Sequence, residues 1–365
     1  MMKRVRDLCC PQDKAYIFKS FDNVDRFSDM KKFKVLITAP IHNVYIDILK
    51  EYVDVYVVNK LLSEEDIVNL VKELDPVAIV AVRGSDPITR KVFENSSRLL
   101  IVARHGVGYD RVDVEAATEH GVWVTVTPVK ELFLAVAEHA IALIMCLARR
   151  ICLADEATRK GVWSREEFEG LLLENKVLGI IGLGRIGMEI ARKAKGLGMK
   201  IVYFDKIRKK DVEETLGVEY LDLHSLLKVS DFVVIAVPLT KETLGMIREE
   251  ELKSMKRSAY IINIARGGII NHEALVKALE ERWIAGAALD VFPIEPLPQN
   301  DSITKTRNTV LTPHIAWFTK ESRIAMARTV AEEVLRALKC EDPLYPVNPE
   351  VRDKAKSKCR KLVAE

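Results

Sequence analysis

A glycine turn in the middle of the chain limits its architecture more than any other feature. Gly182-Leu183-Gly184-Arg185-Ile186-Gly187 lies between an apolar run, Val177 to Ile181, and an amphipathic stretch, Met188 to Leu197. Strand, glycines and helix, in that order, are what a dinucleotide pyrophosphate requires. The first glycine permits the tight turn, the second lets phosphate approach the backbone, and the third lets helix pack closely on strand. The helix N-terminus then offers amides and a positive dipole end to the anion. Nearly half of the chain precedes this turn, enough for a separate domain.

Met199 to Phe204 reads as the next strand, and Asp205 closes it at about the 20-residue spacing of a ribose-binding acid. A carboxylate there accepts hydrogen bonds from a ribose diol and repels a 2′-phosphate, which favours NAD over NADP. Lys206, Arg208, Lys209 and Lys210 follow at once and would welcome a phosphate; they are read as a solvated charged face.

The rest of the chain alternates in the same way. Lys34 to Ala39, Val53 to Val58, Val77 to Val82, Leu99 to Ala103 and Val122 to Val126 read as strands separated by helical periods such as Ile67, Leu70, Val71 and Leu74. Continuous apolar strands alternating with helices imply a parallel sheet covered on both faces. Glu131 to Arg150 reads as a long helix joining two domains. A second series follows: Val177 to Ile181, Met199 to Phe204, Phe232 to Val237, Ser258 to Asn263, Ile284 to Leu289 and Thr309 to Leu311. The helical stretch Glu321 to Leu338 has no sheet of its own and is assigned back to the first domain. The expected organisation is an N-terminal extension over 1–33, a first domain of 34–130 and 318–365, and a dinucleotide-binding domain over 131–317.

Composition excludes several classes. A net charge of +3 over 365 residues, with acids and bases interspersed, is no electrostatic footprint for nucleic acid. The longest apolar run, Ala140 to Ala148, falls well short of the roughly 20 residues that span a bilayer. The basic opening Met1 to Arg6 has no signal-peptide core behind it, so a cytoplasmic chain is expected. Cys9, Cys10, Cys146, Cys152, Cys340 and Cys359 show no C-x-x-C spacing; they are read as reduced thiols, with no metal site.

Three phrases downstream of the glycine turn carry the candidate chemistry. Asn263-Ile264-Ala265-Arg266-Gly267-Gly268, Asp290-Val291-Phe292-Pro293-Ile294-Glu295-Pro296 and Thr312-Pro313-His314-Ile315-Ala316-Trp317 each follow a strand. Carboxyl ends of parallel strands are where doubly wound sheets bind ligands, so an Arg, a Glu and a His converge beside a nicotinamide. Reduction of a 2-oxo acid by hydride leaves negative charge on the carbonyl oxygen, which needs a proton. Histidine donates and accepts protons near neutrality, a carboxylate on its other nitrogen fixes the tautomer, and arginine stays charged throughout. Taken singly, each has a plainer reading as a turn, cap or solvated residue; their placement at successive strand ends favours the chemical one.

These phrases, together with Arg104-His105-Gly106-Val107-Gly108-Tyr109-Asp110-Arg111-Val112-Asp113, Val136-Ala137-Glu138-His139 and Pro238-Leu239-Thr240, resemble the D-isomer-specific 2-hydroxyacid dehydrogenases from about Lys34 to Pro349. The resemblance implies a Rossmann NAD-binding domain inserted into a flavodoxin-like substrate domain, both with doubly wound parallel sheets, and usually a homodimer. It implies a catalytic set of His314 as acid/base, Glu295 as its orienting partner and Arg266 as substrate clamp. Val107 and Gly108 would offer amides to the substrate carboxylate. Arg185 and Ile186 would meet the pyrophosphate, Asp205 the ribose and Asp290 the nicotinamide carboxamide, with Pro238, Thr243 and Ala265 along the cofactor.

Where the chain departs from the family, the substrate pocket is affected most. Ala316-Trp317-Phe318 replaces the common Gly-Gly-Ser, so Trp317 is expected to wall the pocket; Val126 replaces a frequent Asn, and Pro293 stands where an acid is common. Glu295, rather than Gln, argues against formate. The expected activity is NAD-dependent hydride transfer on a small 2-oxo or D-2-hydroxy acid, of the phosphoglycerate dehydrogenase or the glyoxylate/hydroxypyruvate reductase type. Arg83 is a candidate for a substrate phosphate, and the short tail after Lys339 leaves no room for an amino-acid-sensing domain. The alternative is an NAD(H)-sensing interaction protein similar to the C-terminal-binding-protein corepressors, which keep the Arg, Glu and His and a similar Ala-Trp; their long partner-binding tails are not evident here.

Overall fold

The computed structural model describes residues 30–364, so the extension expected over 1–33 lies almost wholly outside the described residues, as do Cys9 and Cys10. Two units divide the chain, with junctions at Val129/Lys130 and Thr319/Lys320.

The first unit is built on five parallel strands: β1 (Lys34–Ile37), β2 (Asp54–Val57), β3 (Ala78–Ala81), β4 (Ile101–Arg104) and β5 (Trp123–Thr125), in the order β2-β1-β3-β4-β5. That is the flavodoxin-like order. Successive residues point to opposite faces, and β3, β4 and β5 are covered on both, which is why they read as unbroken apolar runs; the edge strand β2 leaves Tyr56 and Val57 exposed. Val35, Ile37, Val80 and Ala103 pack with Ala327, Val330 and Val334 from the helix Lys320–Leu338. Leu36, Ile79, Val102 and Val124 face Ile67, Val71 and Phe93 on the other side.

The C-terminal helix Arg352–Ala364 joins the same face through Ala355, Cys359 and Leu362. It brings Cys359 to Cys340, and the two form a disulfide, with Cα atoms 5.6 Å apart. This corrects the expectation of uniformly reduced thiols. The pair is 19 residues apart in sequence, and only the packing of two helices on one sheet face makes them neighbours. Cys146 and Cys152 remain free.

The second unit has seven parallel strands: β6 (Val177–Ile181), β7 (Lys200–Phe204), β8 (Glu219–Tyr220), β9 (Phe232–Ile235), β10 (Tyr260–Asn263), β11 (Gly286–Leu289) and β12 (Thr309–Leu311). Their order, β12-β11-β10-β9-β6-β7-β8, reverses direction between β6 and β9, the crevice position where such sheets take a dinucleotide. The glycine turn leaves β6 at that point, where Ile181 pairs with Ile235. The helix Lys130–Arg149 meets the length and composition of a membrane span, but half of that window is buried. It packs along the helix Arg185–Lys195 and against β10, β11 and β12, so it is a core helix of this unit.

Candidate active site

The glycine turn is shaped to leave room at its centre. Gly182 has φ +98°, and a Cβ there would lie 2.7 Å from Ala236 O; a Cβ on Gly187 would lie 2.1 Å from Gly182 O. Both positions therefore exclude a side chain. A Cβ on Gly184 would meet nothing within 4 Å, so open space lies in front of that residue. Gly184 caps the helix Arg185–Lys195 with no side chain bonded to its first amides. Tight closure behind and open space ahead fit a pyrophosphate. Arg185 is exposed at the first helical position, and its guanidinium lies over the Phe133 ring; Ile186 is half-buried.

Asp205 closes β7 beside this turn. Its Oδ2 accepts the Leu183 amide at 2.9 Å and lies 3.4 Å from Lys209 Nζ, which itself donates to Leu183 O. Arg208 is held by both oxygens of Glu213, at 2.9 and 2.8 Å. Two of the four cations after Asp205 thus have partners of their own. Thr243 turns its hydroxyl to Pro238 O at 2.6 Å and accepts the Thr240 amide, fixing the loop that carries Pro238.

The three catalytic candidates sit on loops after β10, β11 and β12. A Cβ on Gly267 would lie 2.0 Å from Phe292 C, so the Arg266 turn presses directly on the segment leading to Glu295. Asn263 bridges this turn, donating to Arg266 O and accepting the Ala265 amide. Glu295 Oε2 accepts His314 Nδ1–H at 2.7 Å, and Oε1 accepts the Phe292 amide at 3.0 Å. Burial pushes the Glu295 carboxyl up, but the hydrogen bond and charge of His314, the Phe292 amide and the Arg266 charge together hold it below its ordinary value. An ionised Glu295 only accepts, so Nδ1 carries the hydrogen and Nε2 is the nitrogen left to face a substrate.

His314 has φ +54°, a left-handed conformation uncommon for any residue but glycine. Asp290, 0% exposed, holds it there. Asp290 Oδ1 accepts the Thr312 hydroxyl at 2.6 Å and the Ile315 amide at 2.9 Å, and Oδ2 accepts the Ala316 amide at 2.9 Å. Asp290 O also accepts the His314 amide. Burial raises the Asp290 carboxyl, yet hydrogen bonds from His139, Thr312, Ile315 and Ala316 outweigh it and lower the value. Sequence reasoning missed this anchoring role; the only signal was the acid at the end of β11. Trp317 follows half-buried, edge-on to the Phe318 ring at 5.1 Å.

In the first unit, Val107 and Gly108 lie in the bend after β4. Arg104, buried, shapes that bend by donating from Nε to Gly108 O and from Nη1 to Val82 O. This is a second role that sequence reasoning did not single out. Arg83 Nη1 donates to two backbone oxygens, Thr38 O at 2.8 Å and Lys60 O at 2.9 Å.

A family model described as "D-isomer specific 2-hydroxyacid dehydrogenase, NAD binding domain" matches residues 141–316. A glyoxylate reductase of Pyrococcus furiosus is 45% identical over 329 residues, covering 88% of this chain and 96% of that protein. Among solved structures, a glyoxylate reductase from Paecilomyes thermophila superposes with TM-score 0.78 at 29% identity, covering 87% of this chain and 99% of that one. A NADPH-dependent glyoxylate/hydroxypyruvate reductase from Sinorhizobium meliloti, solved with NADP and malonate, gives TM-score 0.75 at 30% identity, covering 87% and 97%.

Proposed function

This chain belongs to the D-isomer-specific 2-hydroxyacid dehydrogenases, and from that premise we propose that its substrates are glyoxylate and hydroxypyruvate. It is an NAD-dependent oxidoreductase that moves hydride between nicotinamide and a small 2-oxo or 2-hydroxy acid. The relatives named above as acting on glyoxylate and hydroxypyruvate support this choice within the class. Arg83 favours it over a phosphorylated substrate, because two backbone carbonyls already occupy one end of its guanidinium.

Bound NADH supplies the hydride. His314 delivers a proton from Nε2 to the carbonyl oxygen, and Glu295, 2.7 Å from Nδ1, stabilises the imidazolium that must precede this. Arg266, whose charge acts on Glu295, stabilises the negative charge that develops on oxygen. Val107 and Gly108 remain assigned to the substrate carboxylate. Asp290, expected from the resemblance at the carboxamide, is 0% exposed and holds the Ile315 and Ala316 amides, so its part is to fix the turn that carries His314. Asp205 and the pairing of Arg208 with Glu213 favour NADH over NADPH. The observation that carries this reading is the His314–Glu295 pair on a turn locked by Asp290, at the same carboxyl-end edge of the parallel sheet as the open glycine turn.

The homodimer expected from the resemblance has its own support. The helix Ile151–Arg159 buries none of its residues, and the segment after it exposes Trp163 (82%) and Leu172 (75%). An apolar arm of this kind needs a covering surface, and a second copy supplies one.

NADH oxidation measured with glyoxylate, hydroxypyruvate, phosphohydroxypyruvate and pyruvate tests the proposal. Glyoxylate and hydroxypyruvate are expected to give the highest kcat/KM. Preference for phosphohydroxypyruvate would reassign the substrate, and inactivity toward all four would remove the function.

A further inference from the structure

His139 occupies the middle of the helix Lys130–Arg149, among inward residues that are otherwise alanine, valine, leucine and isoleucine. Its Nε2 lies 3.1 Å from Thr312 Oγ1 and 3.5 Å from Asp290 Oδ1. Thr312 Oγ1 is itself 2.6 Å from Asp290 Oδ1. Three elements of the second unit thus meet behind the turn that carries His314.

Counting hydrogens fixes the direction of this chain. Asp290 is ionised, since the hydrogen bonds around it outweigh its burial, and an ionised carboxylate only accepts. The single hydroxyl hydrogen of Thr312 therefore goes to Asp290 Oδ1. Toward His139, Thr312 Oγ1 is then an acceptor, so His139 Nε2 must carry a hydrogen. The chain runs Nε2–H to Oγ1–H to Oδ1, and the same Nε2–H points at the Asp290 charge.

We propose that His139 is a positioning residue for hydride transfer: through Thr312 it fixes the Asp290 carboxylate, and through Asp290 the left-handed turn that aims His314. Asp290 has no water to replace a lost donor, because it is 0% exposed. Its oxygens also hold the Ile315 and Ala316 amides, which flank His314 on one side. Loss of the His139 donor lets Thr312 and Asp290 rotate, and the amides follow. This inference rests on His314 being the acid/base of a 2-oxo acid reductase.

The test combines turnover with a direct view of the ring. H139L is expected to lose about 10- to 100-fold in kcat, the scale of a misplaced catalytic group, with NADH Kd and Tm near wild type. H139Q, whose amide donates from a similar position, is expected to recover most of that loss. T312V should match H139L, and the double variant should be no worse than either single one, because both break the same chain. Nitrogen-15 NMR of histidine in the full-length protein should find hydrogen on His139 Nε2. A hydrogen on Nδ1 alone, wild-type kcat in H139L, equal losses in H139Q and H139L, or additive losses in the double variant would each overturn the proposal. Should H139L fail to fold, T312V carries the same comparison. Wild-type inactivity toward every 2-oxo acid would overturn the reductase reading and this inference with it, whereas an active wild type with an active H139L counts against His139 alone.

Discussion

Replacing Glu295 with glutamine changes almost no volume, yet it removes one charge and one acceptor. Glu295 uses Oε2 for His314 Nδ1–H at 2.7 Å and Oε1 for the Phe292 amide at 3.0 Å. Both donors demand an oxygen, and glutamine has one. With that oxygen toward Phe292, the NH2 group meets Nδ1, and the ring must give up its Nδ1 hydrogen to avoid a clash of donors. The resulting neutral ring is a poor acid. With the oxygen toward His314, the Phe292 amide is orphaned instead. A hydrogen bond to a charged group contributes about 1.5–3 kcal/mol, and an unsatisfied buried donor costs about 1–3 kcal/mol. Destabilisation of the imidazolium by about 3 kcal/mol then lowers kcat for 2-oxo acid reduction by about 100-fold. The assay is initial-rate NADH oxidation at saturating glyoxylate across a range of pH, with NADH Kd measured separately. The expected result is a loss in kcat, an unchanged Kd, and an alkaline limb of the profile moved to lower pH, because the destabilised imidazolium loses its proton sooner. A variant that keeps wild-type kcat and pH profile would refute the reasoning.

Three other perturbations probe separate parts of the account. Asp205→Ala removes the acceptor for the Leu183 amide and the expected ribose ligand, so NADH affinity should fall about tenfold and the preference for NADH over NADPH should narrow; an unaltered cofactor preference would sink the ribose assignment. Glu333, 1% exposed, accepts the Leu344 and Tyr345 amides, and burial raises its carboxyl from 4.5 to about 7 despite those bonds. Because the folded value lies above the unfolded one, its stabilising contribution is full below the unfolded value of 4.5 and is lost as pH rises through about 7. The loss is about 3 kcal/mol, or about 10 °C in Tm for a unit of this size, and Glu333→Gln should flatten that slope; an unchanged pH dependence of Tm would contradict it. Trp163→Asp should shift the protein toward monomer in analytical ultracentrifugation, and an unchanged dimer would move the interface off the 151–172 arm.

Eleven strands were legible in the sequence, most of them because strands buried on both faces of a parallel sheet leave unbroken apolar runs, while the edge strand β2 is largely exposed. β8 was not, since Glu219–Tyr220 is two residues of edge strand with no room for a pattern. The helix Ile151–Arg159 was missed because it buries none of its residues and so carries no core stripe. That Glu295 meets His314, with the Arg266 charge near, was legible from strand ends and from resemblance. The left-handed backbone at His314 and the buried Asp290 that holds it were not, because their partners are backbone amides more than 20 residues away in sequence, joined only when β11 and β12 pair. The Cys340–Cys359 bond was hidden for the same reason: tertiary packing, not spacing, makes the contact.

The central claim is that His314 is the proton donor of a hydride-transfer site rather than part of a nucleotide-binding surface. The most direct test is His314→Ala, with kcat for glyoxylate reduction and NADH Kd measured on the same preparation. Loss of general acid catalysis is expected to lower kcat by about 10²- to 10⁴-fold with NADH Kd unchanged. Turnover equal to that of the wild type would contradict the account.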